Sequence, residues 1–195
     1  MPNPGTTLLL VRHGETEWSR DGRHTGRTDL ELTTAGERQA KELRPLLERW
    51  PSDAVLCSPL QRARRTAELA GLLPYDVDDD LREWDYGDFE GLTSDEIHES
   101  LPGWSIWDGP WRGGESAADV EARADRVIRR ALGEGPGRRV ALVAHGHVLR
   151  SLAARWLGEP VRTGRFLGLD TSTVCELGWE HANPVIHRWN VAAPS

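Results

Sequence analysis

The sequence predicts a three-layer α/β fold: a mostly parallel central sheet flanked by helices, with an antiparallel strand addition near the C-terminus. Three observations carry this. Leu8-Leu9-Leu10-Val11 and Val140-Ala141-Leu142-Val143-Ala144 are continuous apolar runs, the pattern of strands buried on both faces. Between them, helical periodicity alternates with shorter strand-like runs, as βαβ crossovers require. Both long runs also end alike, one at Arg12-His13-Gly14 and the other at His145-Gly146. If these strands are parallel neighbours, both imidazoles stand at one carboxyl edge, where open α/β sheets bind ligands.

Taken in order, the first strand is followed by a polar, Gly-interrupted stretch from Glu17 to Glu31, read as a loop over the strand end. Thr33 or Thr34 caps a helix running to about Trp50, with Leu43, Leu46, Leu47 and Trp50 as its apolar stripe. Pro45 lies inside that stripe and predicts a kink; Pro51 ends the helix. Ala54-Val55-Leu56-Cys57 is a short strand, and Ser58-Pro59 opens a helix with Ser58 as N-cap, ending near Gly71. Tyr75-Asp76-Val77 is a candidate strand. Residues 78–115 are the least regular part, with a short helix at Ser94–Ser100 and Trp104, Trp107 and Trp111 set among Gly and Pro. This segment reads as a lid-like insert, not a linker, because it is aromatic-rich. Ser116 caps a long helix with the stripe Val120, Ala124, Val127, Ile128 and Ala131, closed by Gly133–Gly137. The His145 strand follows, then a helix that stops at Gly158. Ser172–Trp179 and Val185–Trp189 read as a hairpin turning around Asn183-Pro184.

At 195 residues the chain is read as a single domain, 1–195, able to bury a full core. Its net charge of −7 argues against nucleic acid or a membrane surface as partner. Lys41 is the only lysine, so an anion site here must be built from Arg and His. Cys57 and Cys175 are too few for a disulfide framework. Met1-Pro2-Asn3-Pro4-Gly5 has no basic segment leading into an apolar one, and no run reaches transmembrane length, so a cytoplasmic location is expected. The oligomeric state is open, with a homodimer possible.

Three strand ends supply positive features: Arg12, Arg62 one turn into the helix after the second strand, and His145-Gly146 at a helix start. Guanidinium forks and helix N-termini are what a phosphate dianion requires. Any one of them alone is ordinarily a cap or a surface group; their convergence is the signal. Other routes to phosphoester chemistry are absent. Cys57 stands one residue too close to Arg62 for a Cys-x5-Arg loop, and there is no Gly-x-Ser-x-Gly elbow or His-Glu-x-x-His metal motif. Asp76, Asp78, Asp79 and Asp80 read as a solvated turn, so no metal and no cofactor is expected. What remains is imidazole, mostly neutral at pH 7 and a competent nucleophile towards phosphorus.

Leu10-Val11-Arg12-His13-Gly14-Glu15-Thr16 resembles the signature of the histidine phosphatase superfamily, the phosphoglycerate-mutase-like enzymes. The likeness continues through Gly26-x-x-Asp29, Leu32-Thr33-x-x-Gly36-x-x-Gln39-Ala40, Ser58-Pro59-Leu60-x-Arg62-Ala63-x-x-Thr66-Ala67, Leu81-x-Glu83, Gly87-x-x-Glu90-Gly91, Gly114-Glu115-Ser116 and His145-Gly146. It covers nearly the whole chain. The resemblance implies that His13 is the nucleophile, that Glu83 is the acid for the leaving oxygen and then the base for water, and that Arg12, Arg62 and His145 hold the phosphoryl group. Thr25, Gly26 and Ser19 add contacts; Ser19 and Thr25 depart from the family's commoner Asn and Gln. Asp85 and Glu90 are the alternative acids that spacing alone leaves open. Among the remaining residues, His24, Gly146, Trp84 and Tyr86 are candidate substrate contacts. Trp84, Tyr86, Trp104 and Trp107 form either a lid over a sugar or a satellite core. His147 and His187 read as structural, and Glu115 as a support for the site.

The Glu-Thr-Glu-Trp-Ser, Arg-Glu-Trp-Asp-Tyr-Gly and Trp-Ser-Ile-Trp stretches are most similar to the branch of acid phosphatases and sugar-bisphosphate phosphatases. The expected function is therefore metal-independent hydrolysis of a small phosphorylated metabolite, a phosphomonoester, through phosphohistidine. A phosphoglycerate mutase and a catalytically silent phospholigand-binding domain are the alternatives. The short tail after Trp189 offers little to close over a site, which favours hydrolysis. The presence of Glu83 argues against silent binding, since binding needs no acid.

Overall fold

The computed structural model describes residues 5–193. The Met1–Pro4 part of the N-terminal reading and the last two residues of the tail lie outside the described residues. Six strands form one sheet: β1 (Thr7–Arg12), β2 (Ala54–Cys57), β3 (Asp76–Val77), β4 (Arg139–Ala144), β5 (Thr173–Glu180) and β6 (Asn183–Ala192), in the order β3-β2-β4-β1-β5-β6. The β3–β2, β2–β4 and β4–β1 pairings are parallel, whereas β5 runs antiparallel to both β1 and β6. β1 and β4 are thus central neighbours, and Arg12 pairs with Ala144. His13 and His145 therefore leave the sheet at the same level.

The apolar runs are continuous because both faces are covered. Leu8, Leu10, Val140, Leu142 and Ala144 pack with α6 (Ala117–Gly133) and α7 (Gly146–Trp156). Leu9, Val11, Ala141 and Val143 pack on the other face with α2 (Thr34–Glu42), α3 (Arg44–Glu48) and α4 (Gln61–Leu69). α6 starts where Ser116 was expected to cap it, through a reciprocal box with Asp119. Among the described residues no helix is long and apolar enough to cross a membrane.

The structure departs from the sequence reading at several local points. The helix expected from Thr33 to Trp50 divides at Leu43, and Pro45 falls in the first turn of α3, where its missing N–H costs nothing. The loop after β1 holds one helical turn, α1 (Glu17–Arg20), closed by a capping box between Thr16 and Ser19. Leu60, not Ser58, is the N-cap of α4, and the Ser58 hydroxyl is bonded to His145 and to Leu60 N–H. The hairpin turns two residues earlier than expected, at His181-Ala182, and Pro184 sits inside β6 on the sheet edge. A 3-10 segment at Val161–Phe166, with no counterpart in the sequence reading, follows α7. The insert at 78–115, which carries α5 (Ser94–Ser100), is a packed unit: Trp84, Tyr86, Phe89, Ile97, Trp104, Ile106 and Trp107 form a third core with Val120 and Val161.

One close approach fixes the loop after β1. A Cβ on Gly14 would stand 2.5 Å from the Gly36 carbonyl oxygen, and a Cβ on Gly36 would collide with the Glu15 carbonyl oxygen. The start of α2 is therefore pressed against the backbone that follows His13. We expect Gly36→Ala to destabilise the protein by about 1–3 kcal/mol through overpacking. Gly133→Ala, a helical site with nothing within 4 Å, is the control and should be neutral. Equal melting temperatures for the two variants would show that the approach at Gly36 is not tight.

Candidate active site

At the carboxyl edge a cleft of about 240 Å³ is lined by Arg12, His13, Ser19, Arg23, His24, Thr25, Glu83, Tyr86, Gly146, His147 and Arg150, among others. His13 is held by its backbone: its N–H donates to Ala144 at 3.0 Å, and its carbonyl accepts from Ser172 N–H at 3.1 Å. Its ring Nδ1 lies 2.7 Å from the Gly14 carbonyl oxygen, which can only accept. Nδ1 therefore carries the proton and Nε2 the free lone pair. Burial, then the charges of Arg62 and Arg12, hold the His13 pKa well below 6.5, so the ring is neutral.

Behind this ring lies a second layer. The centroid of His145 is 5.1 Å from that of His13. Both His145 nitrogens are committed: Arg62 Nε donates to Nδ1 at 3.0 Å, and Nε2–H donates to the Ser58 hydroxyl at 2.7 Å. Burial and the same guanidinium hold His145 well below the ordinary imidazole pKa. Arg62, fully buried, gives its remaining bonds to the carbonyls of Thr28 at 2.9 Å, Thr25 at 3.0 Å and Gly26 at 3.1 Å. Four of its five N–H groups are used. Arg12 is the contrasting case. Only the Leu169 carbonyl accepts from it, and its buried Nε has no partner.

Glu83 faces His13 across the cleft from the segment that opens the insert. Its carboxylate accepts from three backbone N–H groups: Trp84 at 2.8 Å, His147 at 2.9 Å and Val148 at 2.9 Å. Two of these belong to the first turn of α7, where donors are free and the dipole favours an anion. The Gly146 N–H, also in that first turn and on the cleft wall, has no acceptor among the described residues. The other candidate acids are occupied elsewhere. Glu90 accepts from Gly26 N–H and Thr28 N–H at 2.9–3.0 Å, and Asp85 pairs with Arg27 at 2.7 Å.

Ser19, Thr25, His24, Tyr86 and Gly146 line the cleft beside Arg12, His13 and Glu83. Trp84 does not. It is fully buried in the insert's core, with Nε1–H on the Glu115 carbonyl at 2.8 Å, so the expected substrate contact through its side chain is corrected. Gly26 lies outside the cleft too, and its part there is to present a carbonyl to Arg62. Sequence reasoning missed Arg123, which grips Glu115 bidentately at 2.8 Å and the carbonyls of Asp80, Arg82 and Glu83. It also missed the 2.6 Å bond between Tyr86 and His147, the role of Glu90 in holding the 26–28 backbone, and Arg150. No local motif announces these pairings. Only the Gly87-x-x-Glu90-Gly91 and Gly114-Glu115-Ser116 likenesses pointed near two of them.

The fold and this edge define a class, and the sequence matches it: the chain belongs to the histidine phosphatase superfamily (branch 1), over residues 8–192. Among similar proteins, an acid phosphatase of Mycobacterium tuberculosis is 44% identical over 176 residues, covering 89% of this chain and 87% of that one. The sedoheptulose 1,7-bisphosphatase of Saccharomyces cerevisiae is 36% identical over 194 residues, covering 83% of this chain and 71% of that one. A solved structure of a Mycobacterium tuberculosis open reading frame superposes with a TM-score of 0.94 at 41% identity, covering 97% of this chain and 99% of that one. Family and neighbours make this chain a phosphoric monoester hydrolase.

The neutral histidines have a consequence for stability. His13 and His145 are buried and His147 is partly buried, and all three are held well below the ordinary 6.5. Below about pH 6.5 the unfolded chain takes up protons that the folded chain refuses, so stability falls with falling pH. The window starts at that value and extends down to the depressed native ones. Melting temperatures measured without phosphate should stay nearly level from pH 7.5 to about pH 6.5 and drop steadily from there to pH 5. A flat profile would mean that these rings are not held neutral.

Proposed function

We propose that the protein hydrolyses small phosphomonoesters, such as sugar phosphates, through a phosphohistidine on His13, without a metal. The observation that carries this reading is the His13 ring itself: buried and neutral, with Nδ1–H fixed on Gly14 and Nε2 facing the cleft. A nucleophile with its lone pair aimed by a fixed partner needs no further activation.

The free donors of Arg12 and the Gly146 N–H bind the phosphoryl oxygens, with the positive end of α7 behind them. Arg62 acts as the charge beneath the site and as the tie that sets His145 and the Thr25–Thr28 backbone. Nε2 of His13 forms a bond to phosphorus as the phosphorus–oxygen bond to the substrate breaks, and Glu83 gives its proton to the leaving oxygen. In the second half Glu83 takes a proton from water, whose oxygen attacks phosphorus and returns His13 with release of phosphate. The binding of Glu83 to α7 keeps acid and nucleophile in one frame.

His13→Ala should abolish turnover of p-nitrophenyl phosphate, and wild type quenched in mid-reaction should carry acid-labile phosphate on His13. EDTA should leave the rate unchanged. Intact turnover in His13→Ala would overturn the reading. Phosphoglycerate isomerisation, assayed alongside, decides between hydrolysis and a mutase. Arg62→Lys keeps one charge but loses the fork that holds four acceptors, and kcat/KM should fall by ~10² or more.

A positioned acid is worth ~10²–10⁴-fold to a poor leaving group and little to nitrophenolate. Glu83→Gln should therefore slow alkyl phosphates far more than the nitrophenyl ester. An equal loss on both, with the leaving-group dependence appearing in Asp85→Asn or Glu90→Gln instead, would move the acid to one of those residues.

A further inference from the structure

The proton on His13 Nδ1 depends on where the Gly14 carbonyl points, and glycine is the residue least able to hold a direction by itself. No side chain can stand there, because a Cβ on Gly14 would lie 2.5 Å from the Gly36 carbonyl oxygen. The two peptide planes that meet at Gly14 are instead held from outside. In the plane before it, the His13 carbonyl accepts from Ser172 N–H at 3.1 Å, and the Gly14 N–H donates to the Thr66 hydroxyl at 3.0 Å. In the plane after it, the Gly14 carbonyl accepts from His13 Nδ1–H at 2.7 Å, and the Glu15 N–H donates to Gln39 Oε1 at 3.2 Å.

Thr66 is fully buried in α4, and its own proton goes to the carbonyl of Arg62, one turn earlier, at 2.7 Å. That bond fixes the hydroxyl rotor, so a lone pair and not the hydrogen meets the Gly14 N–H. A threonine inside a helix commonly bonds back to the carbonyl four residues before it and does nothing more. Here the remaining lone pair reaches a backbone N–H 52 positions away, on the residue after His13. One hydroxyl thus joins the backbone of Arg62 to the backbone that sets the His13 proton. A buried N–H that loses such an acceptor keeps its full desolvation penalty, so the peptide must turn to find another.

We propose that Thr66, with Gln39 in support, is a positioning residue for the nucleophile: it holds the Gly14 peptide so that the His13 proton stays on Nδ1 and the lone pair on Nε2. This rests on the reading of His13 given under the proposed function and deepens it. Neither Thr66 nor Gln39 lines the cleft, so neither touches substrate. Without the Thr66 hydroxyl the plane before Gly14 is released at its N–H end, and the Gly14 carbonyl can swing off the ring. The imidazole then takes the other tautomer as well, whose Nε2–H has no lone pair for phosphorus. Molecules in that tautomer bind substrate through Arg12 and the end of α7 as before, but do not react.

The test is Thr66→Val, which keeps the branched shape and removes the hydroxyl, beside Thr66→Ser, which keeps the hydroxyl. The tautomer is read from the imidazole nitrogen NMR shifts of histidine-labelled protein at neutral pH, the His13 signals being assigned by their absence in His13→Ala. Wild type and Thr66→Ser should show the proton on Nδ1; Thr66→Val should show shifts averaged towards Nε2–H. Its kcat for glycerol 3-phosphate, whose poor leaving group makes transfer to His13 the slow step, should fall about tenfold or more. KM should stay within about twofold, because ground-state binding is untouched. Gln39→Met, at a partly exposed position, should show the same pattern more weakly, and its shifts decide the matter if Thr66→Val does not fold. A proton that stays on Nδ1 overturns the proposal whatever the rate, since a merely structural hydroxyl lowers stability and activity without moving it. So does a mixed tautomer with the wild-type kcat, or a loss that Thr66→Ser shares in full. The hydrolytic reading stands or falls separately: it fails if His13→Ala still turns over p-nitrophenyl phosphate.

Discussion

A guanidinium buried without a carboxylate is the constraint on which this site depends. Arg62 is fully enclosed, and its charge is met by three carbonyls and one imidazole nitrogen. Hydrogen bonds to a charged group are worth about 1.5–3 kcal/mol each, and none of these acceptors could lose its partner cheaply. The carbonyls lie on the Thr25–Thr28 turn, the imidazole at the start of α7 and the arginine in α4. One side chain thus ties together three segments far apart in sequence. It also selects the tautomer of His145, because an acceptor is required at Nδ1, and this sends the Nε2 proton to Ser58. The cost appears at the histidines: the same charge helps to keep His13 and His145 neutral. A neutral imidazole is the form with a free lone pair, so what holds the structure together also keeps that lone pair available in the cleft.

Around that centre, carboxylates act mainly as clamps. Glu90 holds the N–H groups of Gly26 and Thr28 while Arg62 holds the carbonyls of the same turn. Glu115 and Arg123 do the same for the segment carrying Glu83: Arg123 takes its carbonyls, and Glu115 takes Asp85 N–H and the guanidinium. Gly26 must lack a Cβ, which would stand 2.5 Å from the Trp84 carbonyl oxygen. The two clamped turns therefore touch. The tryptophan-rich core beneath them explains why the insert is ordered: Trp84 stands edge-on to Trp107, with centroids 5.7 Å apart, behind the cleft wall that carries Tyr86 and His147.

What could be read from the sequence follows the range of the forces involved. The β1 and β4 runs were legible because burial on both faces leaves no polar alternation, and α6 because its cap and its stripe agree. The edge bearing His13 and His145 then followed from parallel pairing alone. Ser58 misled because Ser-Pro is a sound local helix start, yet α4 begins later, at Gln61, and the Ser58 hydroxyl meets the His145 imidazole and Leu60 N–H. Trp84 misled because Gly and Pro nearby suggested a loop, whereas the side chain turns inward to a third core. The pairings of Arg123, Glu90 and Arg150 were not legible, since each is made with partners at least eight positions away.

Arg12 and Arg62 looked equivalent as two forks at two strand ends, and the structure separates them. Arg62 has spent four of its five donors on protein acceptors, while Arg12 has given one to Leu169 and keeps an unpartnered Nε. An incoming anion can draw on Arg12 without breaking anything; to draw fully on Arg62 it must displace the turn that Glu90 holds. Positive charge at this edge is thus of two kinds, one committed to the fold and one held in reserve. The reserve carries a cost, because a buried guanidinium nitrogen without a protein partner is desolvated with no compensating bond. That cost is returned when an anion arrives, and the rigid sheet end sets where it must sit. The uncommitted donors of Arg12 and Gly146 are therefore what this edge offers a ligand, and the committed ones of Arg62 are what it gives to the fold.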